Sequence, residues 1–379
     1  MLQQIDKLNW SLVLIIQLQQ MNFSSSEYRV LSNLGSGSGH QVMKVQHNST
    51  SQILAMKIEK GPQLGQIETE ISRLKQLKGL DGVPQLIDSG KTKDSRYLIT
   101  PILKRNLQEI LKDNSMTIPQ ILTIGLSILR VLEQVHKKHI LHLDIKPENI
   151  MITSSHINVP IEEIAKPGFV HLIDFGLSQK AGQSISQNKV FVGSLRYASR
   201  QAHKGNQLHY KDDLESLLYV LVYLRNKTLP WQTVQQYQSQ QLEIRKIGEI
   251  KEAVFNSMNL MQRFPSQFTA FKNYIDGLPE TQMPNYDYLK SLFKEILNLE
   301  KCSPTLQYTA SITHSNSFKE SNQIQNSDRI ISMFSNPQKQ DQVQRDEDLC
   351  DSETSVILIS NWIKTCDTQK PKSIVDIKF

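Results

Sequence analysis

Asp144, Lys146 and Asn149 stand within the stretch His142-Leu143-Asp144-Ile145-Lys146-Pro147-Glu148-Asn149, and Asp174-Phe175-Gly176 follows after a gap. The spacing Asp-x-Lys-x-x-Asn suits a loop that presents a carboxylate, an ammonium and a side-chain amide to one pocket. Phosphoryl transfer needs that set. The carboxylate accepts the proton of an incoming hydroxyl and holds its oxygen in line, the cation neutralises charge on the transferred group, and the amide oxygen helps hold a metal ion. Asp174 adds a second carboxylate able to clamp magnesium against nucleotide phosphates. Taken singly, Asp-Phe-Gly is a common turn and His-x-Asp a satisfied structural pair. The combination carries the reading, with the apolar strand-like run Val170-His171-Leu172-Ile173 leading into Asp174.

Other elements must bring a nucleotide to that loop. Tyr28 to Leu34 reads as a strand, and Gly35-Ser36-Gly37-Ser38-Gly39-His40 is a tight turn into Val42 to Gln46. Glycines let backbone amides approach phosphates without a Cβ in the way. Lys57 ends the apolar run Leu54-Ala55-Met56 and would reach the phosphates if a helix supplied a carboxylate to orient it. That helix is predicted over 64–77, where Ile67, Ile71, Leu74 and Leu77 recur at helical spacing. Glu68 is the first choice of partner for Lys57 and Glu70 the second. Tyr97 to Thr100 gives a further strand, and Pro101-Ile102-Leu103 a connector whose backbone would meet the adenine edge. The candidate nucleotide contacts are therefore Gly35, Ser36, Gly37, Val42, Ala55, Lys57, Glu68, Thr100 at the back of the pocket, and Leu103.

From Thr117 the pattern turns helical. Thr117-Ile118-Pro119-Gln120 is a capping box with proline in the first turn, and Ile121, Ile124, Ile128, Leu132 and Val135 form a stripe predicted to be buried. Two strands, Ile150 to Ile152 and Val170 to Ile173, flank a loop containing Pro160, Pro167 and Gly168. Asp212 to Leu224 is apolar on nearly every side and too short to span a bilayer, so it is predicted to be the central helix of a helical lobe. Trp231 reads as a core anchor.

Composition bounds the rest. The 379 residues are 39% hydrophobic, enough for a two-lobed domain and a tail. Cys302, Cys350 and Cys366 show no metal-ligand spacing and read as incidental thiols of a reducing compartment. A net charge of +6, scattered rather than blocked, gives no footprint for nucleic acid. Residues 1–21 hold an apolar run too short for a membrane span and form a leader outside the core. From 301 to 379, 31 of 79 residues are Ser, Thr, Asn or Gln and apolar periodicity is lost, so 300–379 is predicted to be a disordered tail. A docking island at Val356 to Ile359 lies within it.

Over residues 22 to 299 the chain resembles the eukaryotic protein kinases, and specifically the casein kinase I family. Four stretches carry the likeness: Gly193-Ser194-Leu195-Arg196-Tyr197-Ala198-Ser199, Asp212-Asp213-Leu214-Glu215-Ser216-Leu217, Leu229-Pro230-Trp231-Gln232, and Phe264-Pro265-Ser266 with Phe268. The resemblance implies an α+β fold of two lobes, a small antiparallel-sheet lobe with one helix (22–102) and a larger, mainly helical lobe (103–299). It implies transfer of the ATP γ-phosphate to protein Ser/Thr hydroxyls, with Asp144 as base, Lys146 as phosphate-neutralising cation, and Asn149 and Asp174 as Mg2+ ligands. Lys57 and Glu68 would be the small-lobe ion pair, Asp213 a brace for the catalytic loop, Ser194 a hydroxyl near Asp144, and Arg196 the substrate anion site. Protein substrates, a monomer, a tail that competes for the cleft and a cytoplasmic or nuclear location are the matching expectations.

The sequence also departs from that family. The third glycine of the phosphate loop falls at His40, and the arginine expected before Asp144 is Leu143. Two expected lysines after Trp231 align with Gln235 and Gln238. A pseudokinase that binds without turnover and a small-molecule phosphotransferase are the competing readings. Retention of Lys57, Asp144, Asn149 and Asp174 favours an enzyme over the first. The Arg196-Tyr197-Ala198-Ser199 stretch favours a protein substrate over the second.

Overall fold

In the computed structural model, residues 27–37, 39–60, 65–91, 95–183, 191–233, 239–256, 260 and 264–302 are described. The leader, most of the tail, Gln235 and Gln238 fall outside them.

The small lobe begins with three strands rich in β-branched and apolar residues: β1 (Tyr28–Gly37), β2 (His40–His47) and β3 (Ile53–Lys60). The helix α1 (Gln66–Gln76) follows, and then β4 (Asp88–Lys91) and β5 (Ser95–Pro101) complete an antiparallel sheet of order β1-β2-β3-β5-β4. Strand alternation sorts its residues by face. Met43, Val45, Leu54, Met56, Ile58 and Ile99 form one buried cluster. The alternate positions Val42, Ala55, Lys57, Leu98 and Thr100 point to the other face, toward the second lobe. Register holds this in place, with Val42 opposite Lys57 and Lys57 opposite Leu98.

A short strand β6 (Arg105–Asn106) leads into α2 (Leu107–Asp113) and the long α3 (Ile118–Lys137). Thr117 and Gln120 exchange both bonds of the capping box, as the sequence predicts. Ile121, Ile124, Ile128, Leu132 and Val135 are all fully buried. Among the described residues this is the one helix long and apolar enough to cross a membrane, and most of it is packed inside the large lobe.

Two small ladders then build the floor of the site. β7 (Ile140–Leu141) pairs with β10 (Gln179–Lys180), while β8 (Ile150–Ile152) pairs with β6 and with β9 (Val170–Leu172). The predicted loop between β8 and β9 contains one short helix, α4 (Ile161–Ile164). The rest is helical: α5 (Arg200–His203), α6 (Tyr210–Asn226), α7 (Gln240–Asn256), α8 (Ser266–Gly277) and α9 (Tyr286–Cys302). α6 is buried along nearly its whole length, as its uniform apolarity predicts. The fold is the two-lobed α+β arrangement expected from the sequence.

The first turn of α6 carries a carboxylate without full compensation. Asp212 accepts the amide of His209 at 2.6 Å, but its other oxygen has no partner in the interior. Burial pushes its carboxyl up to about 7, against partial relief from Ser199 and the His209 amide. A carboxyl raised on folding holds its proton in the native state, so its stabilising contribution is full at low pH and is lost as pH rises through about 7. Asp212→Asn keeps an oxygen for the His209 amide and carries no charge. Its melting temperature should therefore gain on the parent's between about pH 4 and about pH 7; an offset that stays flat across that range would show the carboxylate to be solvated.

Candidate active site

Between the lobes lies a cleft of about 810 Å³. Its roof is the β1–β2 hairpin and the inner face of β3, its back is β5, and its floor is the loop after β7 with the segment from Asp174. Gly35, Ser36, Val42, Ala55, Lys57, Thr100 and Leu103 line it, as expected. Gly37 ends β1 opposite His40 and is not among the lining residues. Gly39 takes the left-handed turn position with φ +85, so the displaced glycine still closes the hairpin. His40 itself projects into the cleft. Burial and the neighbouring Lys57 lower its imidazole pKa, which keeps the ring neutral near pH 7.

Lys57 is held by two carboxylates, Glu70 at 2.8 Å and Asp174 at 2.7 Å. This corrects the choice of Glu68, which instead meets Arg96 at 2.9 Å with more than half its side chain exposed. The reason is the helical stripe. Ile67, Glu70 and Leu74 are the buried positions of α1, three and four residues apart. Glu68 lies a third of a turn off that line. Burial would raise the Lys57-bound carboxyl of Asp174, but the ammonium prevails and brings it down to about 2. For Lys57 itself, burial is outweighed by the two carboxylates, which raise its pKa.

The loop after β7 converges as its spacing predicts. Asp144 Oδ2 accepts Lys146 Nζ at 2.7 Å and Asn149 Nδ2 at 3.0 Å, and its Oδ1 accepts the Ser194 hydroxyl at 2.7 Å. Lys146 Nζ also donates to Ser194 Oγ at 3.0 Å. Asn149 Nδ2 ties back to the Asp144 carbonyl at 2.9 Å, which leaves Asn149 Oδ1 free to face the cleft. Asp174 sits in the left-handed region at φ 65, a conformation that costs about 1–3 kcal/mol in a non-glycine residue.

The loop's backbone is clamped from behind. Asp213, fully buried on α6, accepts the amides of His142 and Leu143, both at 2.8 Å. His136 Nε2 on α3 bonds the same carboxylate at 2.9 Å, and its other ring nitrogen meets the Tyr286 hydroxyl at 2.5 Å. The brace was legible in the sequence; His136 and Tyr286, being ordinary helix residues, were not.

Leu143 also does something the sequence did not show. It is buried with Leu141, Ala198, Ala202, Leu208 and Tyr210, and Phe191 and Val192 pack against that cluster. Where a cation would wait for a phosphate, apolar packing joins the catalytic loop to the segment leading to Ser199. Gly193 lets the two approach. A Cβ there would lie 2.7 Å from the Leu143 carbonyl oxygen, and the residue's φ is +104. Leu143→Ala should cost about 2–4 kcal/mol of stability, read as a fall in denaturation midpoint; a loss under about 1 kcal/mol would mean the cluster closes around the gap.

Arg196 is exposed at the mouth of the cleft, with Tyr197 and Tyr223 rings 5.9 and 5.7 Å from its guanidinium. Among the described residues no carboxylate pairs with it. Lys204 is bound to Glu252 at 2.9 Å and Lys211 to the Leu278 carbonyl at 3.4 Å, and neither lines the cleft.

A buried lysine between opposed carboxylates, a carboxylate holding a hydroxyl beside a second lysine, and a hairpin roof over a cleft are the parts of a phosphoryl-transfer site. A family model of the protein kinase domain matches residues 28–310, and the chain belongs to the protein kinase family. Within it the likeness is to casein kinase I. The chain is 31% identical over 288 residues, 73% of its own length and 86% of the relative's, to a protein of Encephalitozoon cuniculi (strain GB-M1) described as a probable casein kinase I homolog.

Proposed function

We propose that the protein is an ATP- and Mg2+-dependent serine/threonine kinase acting on protein substrates. The observation that carries this reading is the Ser194 hydroxyl, which rests 2.7 Å from Asp144 Oδ1 and 3.0 Å from Lys146 Nζ. An alcohol held between a carboxylate and an ammonium supports an alcohol as the acceptor at this site. A substrate serine or threonine entering there would give its proton to Asp144, and Lys146 would neutralise charge on the incoming group.

The residues present fit the cofactors. Asn149 Oδ1 and the Asp174 oxygen not held by Lys57 are hard oxygen donors, too few to cage a metal alone, which suits magnesium shared with phosphates. Lys57 stands ready for nucleotide phosphates, and the apolar walls at Val42, Ala55, Leu98 and Met151 suit a purine. When bound, ATP supplies the transferable phosphoryl group and Mg2+ screens its charge. Arg196 would accept a phosphate or carboxylate on the substrate through a charge-assisted bond. With glutamines at 235 and 238, the preference for such primed peptides should be weaker than in lysine-bearing relatives.

The test is phosphate transfer from labelled ATP to casein, to a peptide with and without an upstream phosphoserine, and to a panel of small alcohols and aminoglycosides. Transfer to protein or peptide that stops on chelation and returns with magnesium is expected. Nucleotide binding without transfer to any acceptor would favour a pseudokinase, and transfer confined to the small molecules would replace the substrate class.

A further inference from the structure

Lys251 is a lysine that the chemistry above does not use. It lies on α7 with no solvent exposure at all, and among the described residues no carboxylate pairs with it. Such a charge is costly to bury unless every proton finds an acceptor. Here each one does. Nζ donates to the carbonyl of Leu195 at 2.8 Å, to the carbonyl of Ala198 at 2.6 Å, and to His203 Nε2 at 3.0 Å.

The histidine's tautomer follows from its other side. His203 Nδ1 lies 2.7 Å from the Ile244 carbonyl and Nε2 lies 3.2 Å from that of Leu195; burial and Lys251 keep the ring neutral with one N–H, and the shorter contact places it on Nδ1 and leaves Nε2 as an acceptor. Three acceptors around one nitrogen are satisfied in full only by an ammonium. The rings of Tyr219 and Trp231, with centroids 5.2 and 5.1 Å from Nζ, face the same charge. Burial pulls the lysine's pKa well down, and the Glu215 carboxylate opposes that pull.

Both carbonyls belong to the short stretch that follows Ser194. Trp231 adds a third support, its Nε1 donating to the Arg196 carbonyl at 2.7 Å. The carbonyls of 195, 196 and 198 are thus fixed from the interior, while Leu195, Arg196 and Tyr197 form part of the cleft wall next to Ser194, whose hydroxyl bonds Asp144. The amides of Tyr197 and Ala198 fold back on the Ser194 carbonyl at 2.9 and 2.8 Å, which closes the turn.

We propose that Lys251 and Trp231 are positioning residues for the acceptor peptide: by holding the carbonyls of 195, 196 and 198 they fix the wall against which a protein substrate docks, without touching substrate or nucleotide. This rests on the kinase reading for its substrate, but not for its structural half. Lys251→Met keeps the aliphatic stem and leaves three acceptors unpaired. Trp231→Phe keeps most of the ring and removes one donor, so it serves where the first variant does not fold.

Two readouts decide. Amide exchange of residues 194–199 should accelerate about tenfold or more in Lys251→Met and less in Trp231→Phe, with α3 and α6 unchanged. KM for a peptide acceptor should rise about tenfold, with kcat and KM for ATP within about twofold of the parent. Unaltered exchange in 194–199 overturns the proposal, as does acceleration spread evenly through the large lobe. A KM for ATP that rises in step with that for peptide overturns it too. If the parent transfers no phosphate, the kinase reading fails by itself, and the exchange of 194–199 still decides whether these side chains hold the wall.

Discussion

Asp144→Asn should lower kcat for peptide phosphorylation by about 10²–10⁴-fold, the range lost when a positioned general base is removed, with the fold and nucleotide binding intact. The geometry explains why the fold survives. One Asp144 oxygen receives Lys146 and Asn149, and the other receives the Ser194 hydroxyl. An asparagine can turn its oxygen to the first pair and its NH2 to Ser194, whose hydroxyl then accepts. Basicity is lost, together with the negative charge beside Lys146. Asp174→Ala should be at least as damaging to transfer, because it deletes the oxygen proposed to hold Mg2+ and one of the two anions on Lys57. Full rates in both variants, measured with saturating ATP and magnesium, would remove the assignment of the site.

The second large effect separates two glutamates two residues apart. Glu70→Gln should reduce kcat/KM on the order of 10²-fold, because Lys57 loses one of the two carboxylates that fix it in the cleft; that fall corresponds to about 2.7 kcal/mol at 1.36 kcal/mol per factor of ten. Glu68→Gln should change the rate less than about twofold, because its bond to Arg96 is exposed and such pairs contribute about 0–1 kcal/mol. The loss in Glu70→Gln belongs chiefly to ATP affinity and phosphate placement, for Lys57 would swing toward Asp174 alone. Equal effects of the two substitutions, in either direction, would contradict the arrangement of α1 against β3.

That pair also shows how far the chain could be read before its structure. Local spacing is set by loop chemistry, so Asp144, Lys146, Asn149 and Asp174 were legible, as were the apolar strand that carries Lys57 and the capped start of α3. Glu68 against Glu70 was a question of helical phase. The stripe Ile67, Leu74 and Leu77 passes through position 70, and a carboxylate on an apolar stripe needs a buried cation. Ile71, counted in the same stripe, is only half buried, so the spacing of apolar residues did not by itself separate position 68 from position 70. His136, Tyr286 and Lys251 could not be read at all. Each meets partners far away in sequence, 150 residues apart for Tyr286 and His136, and nothing in their local pattern distinguishes them from ordinary core or surface residues. The apolar role of Leu143 was hidden for the same reason, since most of its cluster comes from positions 181–210 and from Met283.

The clamp of Asp213 on the amides of His142 and Leu143 has a practical outcome. It holds the loop through its main chain, from a helix that carries none of the reacting side chains. Turnover can therefore be switched off by a single atom exchange at Asp144 while the docking wall, the cleft and the exposed Arg196 stay as they are. Such a silent variant is bait: carrying a photocrosslinker near Arg196, it would retain the proteins that the active enzyme modifies and releases, and so recover its clients from a cell extract directly.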